Sequence, residues 1–126
     1  MSSHFVALAG VFGFLGVATG AFGAHALKAR LAADALQTWT LGSRYVMVHA
    51  AVLLGVAILS ELRPSTALTI SGWCFVVGMC IFGGTLWTLS FTGIKWLGAI
   101  TPIGGTALLV GWALLAWAGF TGRSVL

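Results

Sequence analysis

Residues 4–26 read HFVALAGVFGFLGVATGAFGAHA, a run that contains no Asp, Glu, Lys or Arg. A helix rises about 1.5 Å per residue, so this run is long enough to cross the roughly 30 Å hydrocarbon core of a bilayer. A secretory signal peptide is the alternative, because Ala24-His25-Ala26 has the small-x-small shape of a cleavage site. However, residues 1–4 supply no basic segment and the apolar run exceeds the usual signal core. The sequence therefore predicts a retained span.

Three further apolar stretches predict three further spans, at about residues 45–62, 67–91 and 96–120. Pro64 ends the second span, because proline cannot continue a helix, and residues 92–95 form the turn before the fourth. The polar stretch at residues 28–38 suits either a short interfacial helix between the first two spans or a helical start of the second. We therefore predict an all-α integral membrane four-helix bundle, with a short interfacial helical segment between spans 1 and 2, that forms a single transmembrane domain over residues 1–126.

The composition indicates that lipid surrounds most of the chain. Hydrophobic residues make up 60% of the 126 residues, charged residues make up 6%, and the mean hydropathy is +1.08. A water-soluble protein of this size could not cover its surface with so few charges. The basic residues are scattered and form no patch interleaved with aromatics, so a nucleic-acid partner is not expected.

The distribution of basic residues gives an expected orientation. With four spans, the first and third turns share one side of the membrane and carry Lys28, Arg30 and Lys95. The opposite side carries Arg63 and Arg123. Because cytoplasmic loops carry an excess of Lys and Arg, we expect the first side to be cytoplasmic.

Glycines are the main clue to helix packing, because small residues let membrane helices approach closely. In the first span, five of the 18 glycines project into an arc of about 140° when successive residues advance by about 100°. Such a face suits packing within the bundle or a subunit interface, and both can hold. The candidate packing glycines are Gly10, Gly13, Gly16, Gly20 and Gly23 in the first span, Gly55 in the second, and Gly104 and Gly111 in the fourth.

Several polar residues could meet near one membrane interface. His25 ends the first span, while Arg44, Tyr45 and His49 begin the predicted second span on the same side, and Thr101 of the fourth could add a hydroxyl. One hypothesis is a polar pocket that binds a lipid headgroup, a quinone, an anion or a metal, with His25 and His49 within reach of each other. The alternative is structural: Arg44 extends to the headgroups, and the histidines hydrogen-bond helix ends or carbonyls.

Metal binding and catalysis have weaker support in the sequence. Two histidines without a nearby Asp, Glu or Cys form an incomplete ligand set. Asp34 and Glu61 are the only carboxylates and lie near opposite membrane faces, so they cannot act as a pair. No phosphate-binding loop or dinucleotide fingerprint is present. We therefore expect no cofactor, no resident metal and no enzymatic activity.

Several short strings, in order along almost the whole chain, resemble the bacterial "domain of unknown function 423" family. This resemblance implies a small protein of the bacterial cytoplasmic (inner) membrane with four helices, related to a small mitochondrial membrane protein of animals. It implies no established activity, substrate or catalytic residue. The strings are GAFGAHAL at 20–27, Arg44-Tyr45, His49-Ala50, FGGTL at 82–86, TPIGG at 101–105 and Gly111-Trp112.

Two functional hypotheses follow from the sequence. The first is a non-enzymatic membrane protein that self-associates as a homo-oligomer and binds membrane lipids or a partner membrane protein. The second is a small transporter or channel subunit that uses His25, Arg44, Tyr45 and His49 as a polar site. A transporter needs a continuous polar path across the membrane, and the middle of each span is almost purely apolar.

Overall fold

Four long helices make up almost all of residues 2–122, which are the residues that the computed structural model describes. Each helix is long and apolar enough to cross a membrane, and no strand occurs among these residues. The prediction of an all-α membrane protein is confirmed. Arg123, which entered the charge count, lies outside the described residues. The helices are α1 (Ser2–His25), α2 (Ala33–Leu62), α3 (Thr66–Thr92) and α4 (Leu97–Thr121).

Helix α2 begins at Ala33, well before the predicted start at Tyr45. The short helical segment between the first two spans is a single 3-10 turn at Leu27–Ala29, and the rest of the polar stretch forms the first turns of α2. Asp34 lies in the first turn, where a carboxylate is favourable beside the positive end of the helix dipole. The 30 residues of α2 span about 45 Å, so its ends extend past the hydrocarbon core.

Local residue chemistry explains the two tight turns between α2, α3 and α4. Pro64 follows the last residue of α2, and the Ser65 side chain accepts a hydrogen bond from the backbone N–H of Leu68 at the start of α3. Gly93 ends α3 in the left-handed conformation, with φ of 68°, which glycine adopts without steric cost. Short turns make neighbouring helices antiparallel.

Helices α2 and α3 occupy the centre of the bundle. Helix α1 packs along α2, and α4 packs along α3, while α1 meets α3 only near its own first turns, around Phe5. No extensive contact joins α1 to α4 among the described residues. The side of α2 that lies between α1 and α4 therefore remains uncovered. The buried core includes Phe5, Val46, Leu53, Phe75 and Met79.

Polar contacts fix the bundle at the membrane end opposite the α1–α2 turn. The Ser2 hydroxyl donates a hydrogen bond to the Glu61 carboxylate, which joins the start of α1 to the end of α2. The Arg63 guanidinium donates to the backbone carbonyl of Ala118, at 2.7 Å, and so joins α2 to the end of α4. Among residues 2–122, both charged side chains at this end, Glu61 and Arg63, thus contact the protein itself.

Some predicted packing glycines lie where two helices nearly touch. A Cβ built on Gly16 would lie 2.5 Å from Cγ of Met47, and one on Gly104 would lie 2.6 Å from the backbone nitrogen of Phe82. These distances are far below a van der Waals contact, so only glycine permits the observed helix spacing. A Cβ built on Gly23 or on Gly111 would lie similarly close to an aromatic ring.

The structure does not place Gly10 or Gly55 at a helix contact, contrary to expectation. A Cβ on either would meet nothing within 4 Å. Gly10 is rotated by about 120° from Gly16, so it lies at one edge of the glycine arc, which is wider than the contact with α2. Gly13 and Gly20 are intermediate, because a Cβ on each would lie at an ordinary contact distance of 3.9 Å.

Four other glycines lie at close helix contacts that the sequence did not single out. They are in α2 and α3, the two central helices, whose neighbours cover most of their circumference. A Cβ on Gly78 would lie 2.6 Å from a methyl carbon of Leu108, for example. These close-contact glycines are Gly42, Gly72, Gly78 and Gly83.

Candidate functional site

His49 lies near the middle of α2 and is only 6% exposed. Its Nδ1 lies 2.7 Å from the backbone carbonyl oxygen of Tyr45, and because a carbonyl only accepts, Nδ1 carries the proton. Its Nε2 accepts a hydrogen bond from the indole N–H of Trp112 at 3.0 Å. Both ring nitrogens are therefore occupied, and neutral His49 has no lone pair left for a metal or a polar ligand.

Aromatic rings surround the His49 imidazole. The Tyr45 ring is stacked with it, with centroids 5.9 Å apart, and the Phe75 and Trp112 centroids lie 5.7 Å and 5.9 Å away. His49 thus links α2 to α4 inside an aromatic cluster. Its geometry is that of a satisfied packing residue.

His25 lies far from His49, contrary to the hypothesis that they converge. Helices α1 and α2 pack antiparallel, and Gly13 of α1 lies opposite Ala50 of α2. His25 is further along α1 by about 18 Å, at the exposed end of the helix. The reason is that α2 begins at Ala33, which places His49 deep in the membrane and not near an interface.

The other two predicted site residues lie in separate places. The Thr101 hydroxyl lies 2.7 Å from the Thr85 hydroxyl and joins α4 to α3. Arg44 is exposed on the uncovered side of α2. The structure therefore brings together only Tyr45 and His49 of the five residues.

An open groove runs along the flank where α4 meets α2 and α3, with a volume of about 500 Å³. Its floor includes Tyr45, which stacks on Phe82 with ring centroids 4.5 Å apart, and Trp112, which is 42% exposed. Gly105 keeps the groove open, because its missing side chain would lie directly over the Phe82 ring. We call this the α2/α4 groove; it is lined by Tyr45, His49, Phe82, Pro102, Gly105, Thr106, Leu108, Leu109 and Trp112.

The polar atoms of the α2/α4 groove are almost all used within the protein. The Thr106 hydroxyl donates to the Pro102 carbonyl at 2.8 Å, and His49 and Trp112 bond each other. The Tyr45 hydroxyl is the one side-chain polar group of the lining without a hydrogen bond to residues 2–122. The groove can therefore hold an apolar molecule with a hydrogen-bonding group at one end.

A hydroxyl and indole network that the sequence analysis missed joins three helices. The Ser43 hydroxyl on α2 donates to the Thr19 hydroxyl on α1 at 2.7 Å and accepts from the Trp87 indole on α3 at 3.2 Å. The Trp39 indole donates to the Thr19 carbonyl at 2.7 Å. The sequence carries no signal for Ser43, because the predicted second span begins at about residue 45 and hydroxyls are expected to bond across helices only within spans.

Metal-binding and catalytic groups are widely separated. No group of three His, Cys, Asp or Glu side chains lies close enough to hold a metal ion anywhere in residues 2–122. Asp34 and Glu61 lie at opposite ends of α2, about 40 Å apart along its axis. They cannot act on one substrate.

Known proteins with similar sequences are also membrane proteins. A family model described as "Protein of unknown function (DUF423)" matches residues 19–105. The UPF0382 membrane protein YwdK of Bacillus subtilis is 40% identical over 112 residues, which cover 88% of this chain and 91% of the relative. A UPF0382 membrane protein of Haemophilus influenzae is 38% identical over 125 residues, covering 99% of this chain and 100% of the relative.

No solved structure matches the chain. The family assignment therefore depends on sequence, and the match covers most of the chain and nearly all of each relative. Together with four membrane-length helices, these matches show that the chain belongs to the DUF423 family of multi-pass membrane proteins.

Proposed function

We propose that this protein is a non-enzymatic protein of the bacterial cytoplasmic membrane that binds a membrane lipid in the α2/α4 groove. The observation that carries the proposal is that the groove is open toward the lipid side while its polar atoms, apart from the Tyr45 hydroxyl, are already hydrogen-bonded. A groove of this kind offers apolar and aromatic contact area and one hydrogen bond. Lipid chains provide the matching surface.

The position of Tyr45 along α2 suits a lipid that enters from one leaflet. Tyr45 lies about 18 Å along the axis from Ala33, and α2 exceeds the hydrocarbon thickness at both ends. If the helix is centred in the bilayer, the Tyr45 backbone lies about 10 Å inside the core. Side chains lean toward the N-terminus of a helix, so the hydroxyl approaches the level of lipid ester carbonyls. Such a carbonyl can accept its hydrogen bond.

The interior of the bundle argues against the transporter alternative. A transporter needs polar groups that lead from the level of Arg44 to the level of Glu61. Between these levels, the core consists mainly of buried apolar residues, including Leu53, Val56, Ala57, Phe75 and Val76. The buried His49 and Ser71 side chains there are hydrogen-bonded within the protein. These contacts support a binding role and not a conduction path.

The decisive experiment fills the groove without disturbing helix contacts. In Gly105→Leu the new side chain occupies the groove, since even a Cβ there already contacts the Phe82 ring at 3.9 Å. Gly119→Leu is the matched control: it lies on the same helix, it is exposed, and a Cβ there meets nothing within 4 Å. Lipid retained through purification would be measured by native mass spectrometry. We expect Gly105→Leu to lose bound lipid and Gly119→Leu to keep it.

A thermal unfolding scan in detergent would verify that both variants fold. Equal lipid retention in Gly105→Leu and the wild-type protein would show that the groove is not the binding site. Equal loss in both variants would show that leucine on α4 acts at the lipid-exposed surface generally, and the proposal would be wrong.

A further inference from the structure

Arg44 makes no hydrogen bond or ion pair with any side chain or carbonyl among residues 2–122, although it lies in a membrane-spanning helix. A charged group near the hydrocarbon core is costly unless it has a partner. Two neutral polar residues on the same side of α2, Gln37 and Thr40, are also without hydrogen bonds from their side chains. All three line one shallow depression of about 800 Å³ on the exposed side of α2.

Arg44 can reach the headgroup level from its place in α2. It lies about 17 Å along the axis from Ala33, which corresponds to about 9 Å inside the hydrocarbon core for a centred helix. The long apolar stem of arginine allows the guanidinium to extend outward along the helix while the stem stays in the core. The guanidinium then approaches the edge of the hydrocarbon core, where the headgroup region begins.

An apolar groove begins directly below Arg44, between α1 and α2, and has a volume of about 500 Å³. Met47, one turn beyond Arg44, forms its upper edge, and Gly10 and Gly13 leave the middle of its α1 side without side chains. Since a Cβ on Gly10 would meet nothing within 4 Å, packing inside the protein does not require glycine there. We call this groove and the depression above it the α1/α2 face; the groove is lined by Val6, Ala9, Gly10, Gly13, Val17, Met47, Ala50, Ala51 and Leu54.

The charges at this end of the molecule favour an anionic ligand. Lys28, Arg30 and Lys95 lie in the two turns at the same end as Arg44, and all are exposed. Asp34 lines the outer end of the same depression, about 15 Å from Arg44 along the axis of α2. The three exposed basic residues in the turns and Arg44 outnumber this one carboxylate, so the net charge at this end is positive. The excess of basic residues also places this end at the cytoplasmic leaflet, where anionic lipids are found.

We propose that the α1/α2 face binds an anionic phospholipid. The Arg44 guanidinium pairs with the phosphate, Gln37 and Thr40 hydrogen-bond the polar headgroup, and one acyl chain lies in the groove over Gly10 and Gly13. Arginine suits this role because its planar guanidinium can donate two parallel hydrogen bonds to a phosphate. The face is on the opposite flank of α2 from the α2/α4 groove, so the two sites are independent.

The test compares two lipids that differ only in headgroup. Full-length protein in detergent would be titrated with dioleoylphosphatidylglycerol or dioleoylphosphatidylcholine, and bound lipid would be counted by native mass spectrometry. We expect the wild-type protein to prefer phosphatidylglycerol. Arg44→Gln should reduce that preference about fivefold, the factor typical of one basic residue at an anionic membrane surface. Arg44→Lys should restore part of it, because it keeps the charge but not the paired hydrogen bonds.

Arg30→Gln is the matched control, because it removes an exposed charge at the same end of the molecule but away from the groove. The preference should survive this change. If Arg30→Gln lowers the preference as much as Arg44→Gln does, the attraction is a diffuse surface effect and the proposed site is wrong. The same conclusion holds if Arg44→Gln leaves the preference intact.

A second variant tests the groove itself. Gly10→Leu should lower phosphatidylglycerol binding without lowering the unfolding temperature, because the space beside Gly10 is open. If this variant instead converts a dimer to a monomer and leaves lipid binding unchanged, a second copy of the chain occupies the face. That result would overturn the lipid proposal.

Discussion

His49 and Arg44, on the two flanks of α2, differ in burial and in hydrogen bonding. On the flank toward α4, His49 is buried and both of its ring nitrogens are hydrogen-bonded within the protein. On the flank toward α1, Arg44 is exposed and bonds no residue in the described range 2–122. Both residues looked equally functional in the sequence. The comparison shows that a polar residue in a membrane span points to a ligand only when the fold leaves its polar atoms unsatisfied.

The difference between the flanks follows from helix order. Helix α4 packs on α3 but reaches one flank of α2 with Trp112, which supplies a donor at the depth of His49. Helix α1 packs against a different side of α2, through the close contact at Gly16. The side of α2 that carries Arg44 stays uncovered. The same rule separates glycines: Gly16 is required by a helix contact, whereas Gly10 is not.

The largest effect is expected from His49→Ala. The change removes a buried ring and leaves the Trp112 N–H without a partner, while the Tyr45 carbonyl keeps its backbone helix bond. We expect a loss of about 3 kcal/mol in the free energy of unfolding, the sum typical of a cavity and an orphaned donor. Arg44→Gln should change it by less than about 0.5 kcal/mol, as exposed substitutions do. Reversible unfolding in mixed detergent micelles measures the free energy of unfolding of both variants. If His49→Ala and Arg44→Gln lose equal amounts, the distinction between the two flanks is wrong.

An effect of about 2 kcal/mol is expected from Gly16→Leu. The new side chain would meet both Cγ and the backbone of Met47, so α1 and α2 must separate. Gly10→Leu on the same helix has open space and should leave the free energy of unfolding nearly unchanged. The pair is matched in chemistry and in helix propensity. Comparable destabilisation by Gly10→Leu would show that the distinction between the two glycines is wrong.

The sequence was sufficient to predict four spans, because length and hydropathy depend on composition alone. It could not decide where α2 begins, since residues 28–38 suit both a loop-like segment and a helix start. Because of this ambiguity, the sequence analysis placed His49 near a membrane interface and predicted that it lies close to His25. The rotation of α1 was also undetermined: an arc of about 140° includes Gly10, although the contact with α2 is narrower. Only the coordinates of the neighbouring helix resolve such questions.

The smallest and most specific effect is expected from Trp112→Phe, which keeps an aromatic ring in the cluster and removes the N–H that His49 accepts. Leaving Nε2 of His49 unsatisfied should cost about 1 kcal/mol of unfolding free energy. Trp117→Phe is the matched control, because Trp117 lies on the same helix, is 61% exposed and has no hydrogen bond from its indole to the described residues, so its loss should be close to zero. In a double-mutant cycle, Trp112→Phe should cost nothing further once His49 is alanine. If the two changes add, the hydrogen bond between α2 and α4 does not hold His49 in place, and the His49 ring would be available to hydrogen-bond a ligand in the α2/α4 groove.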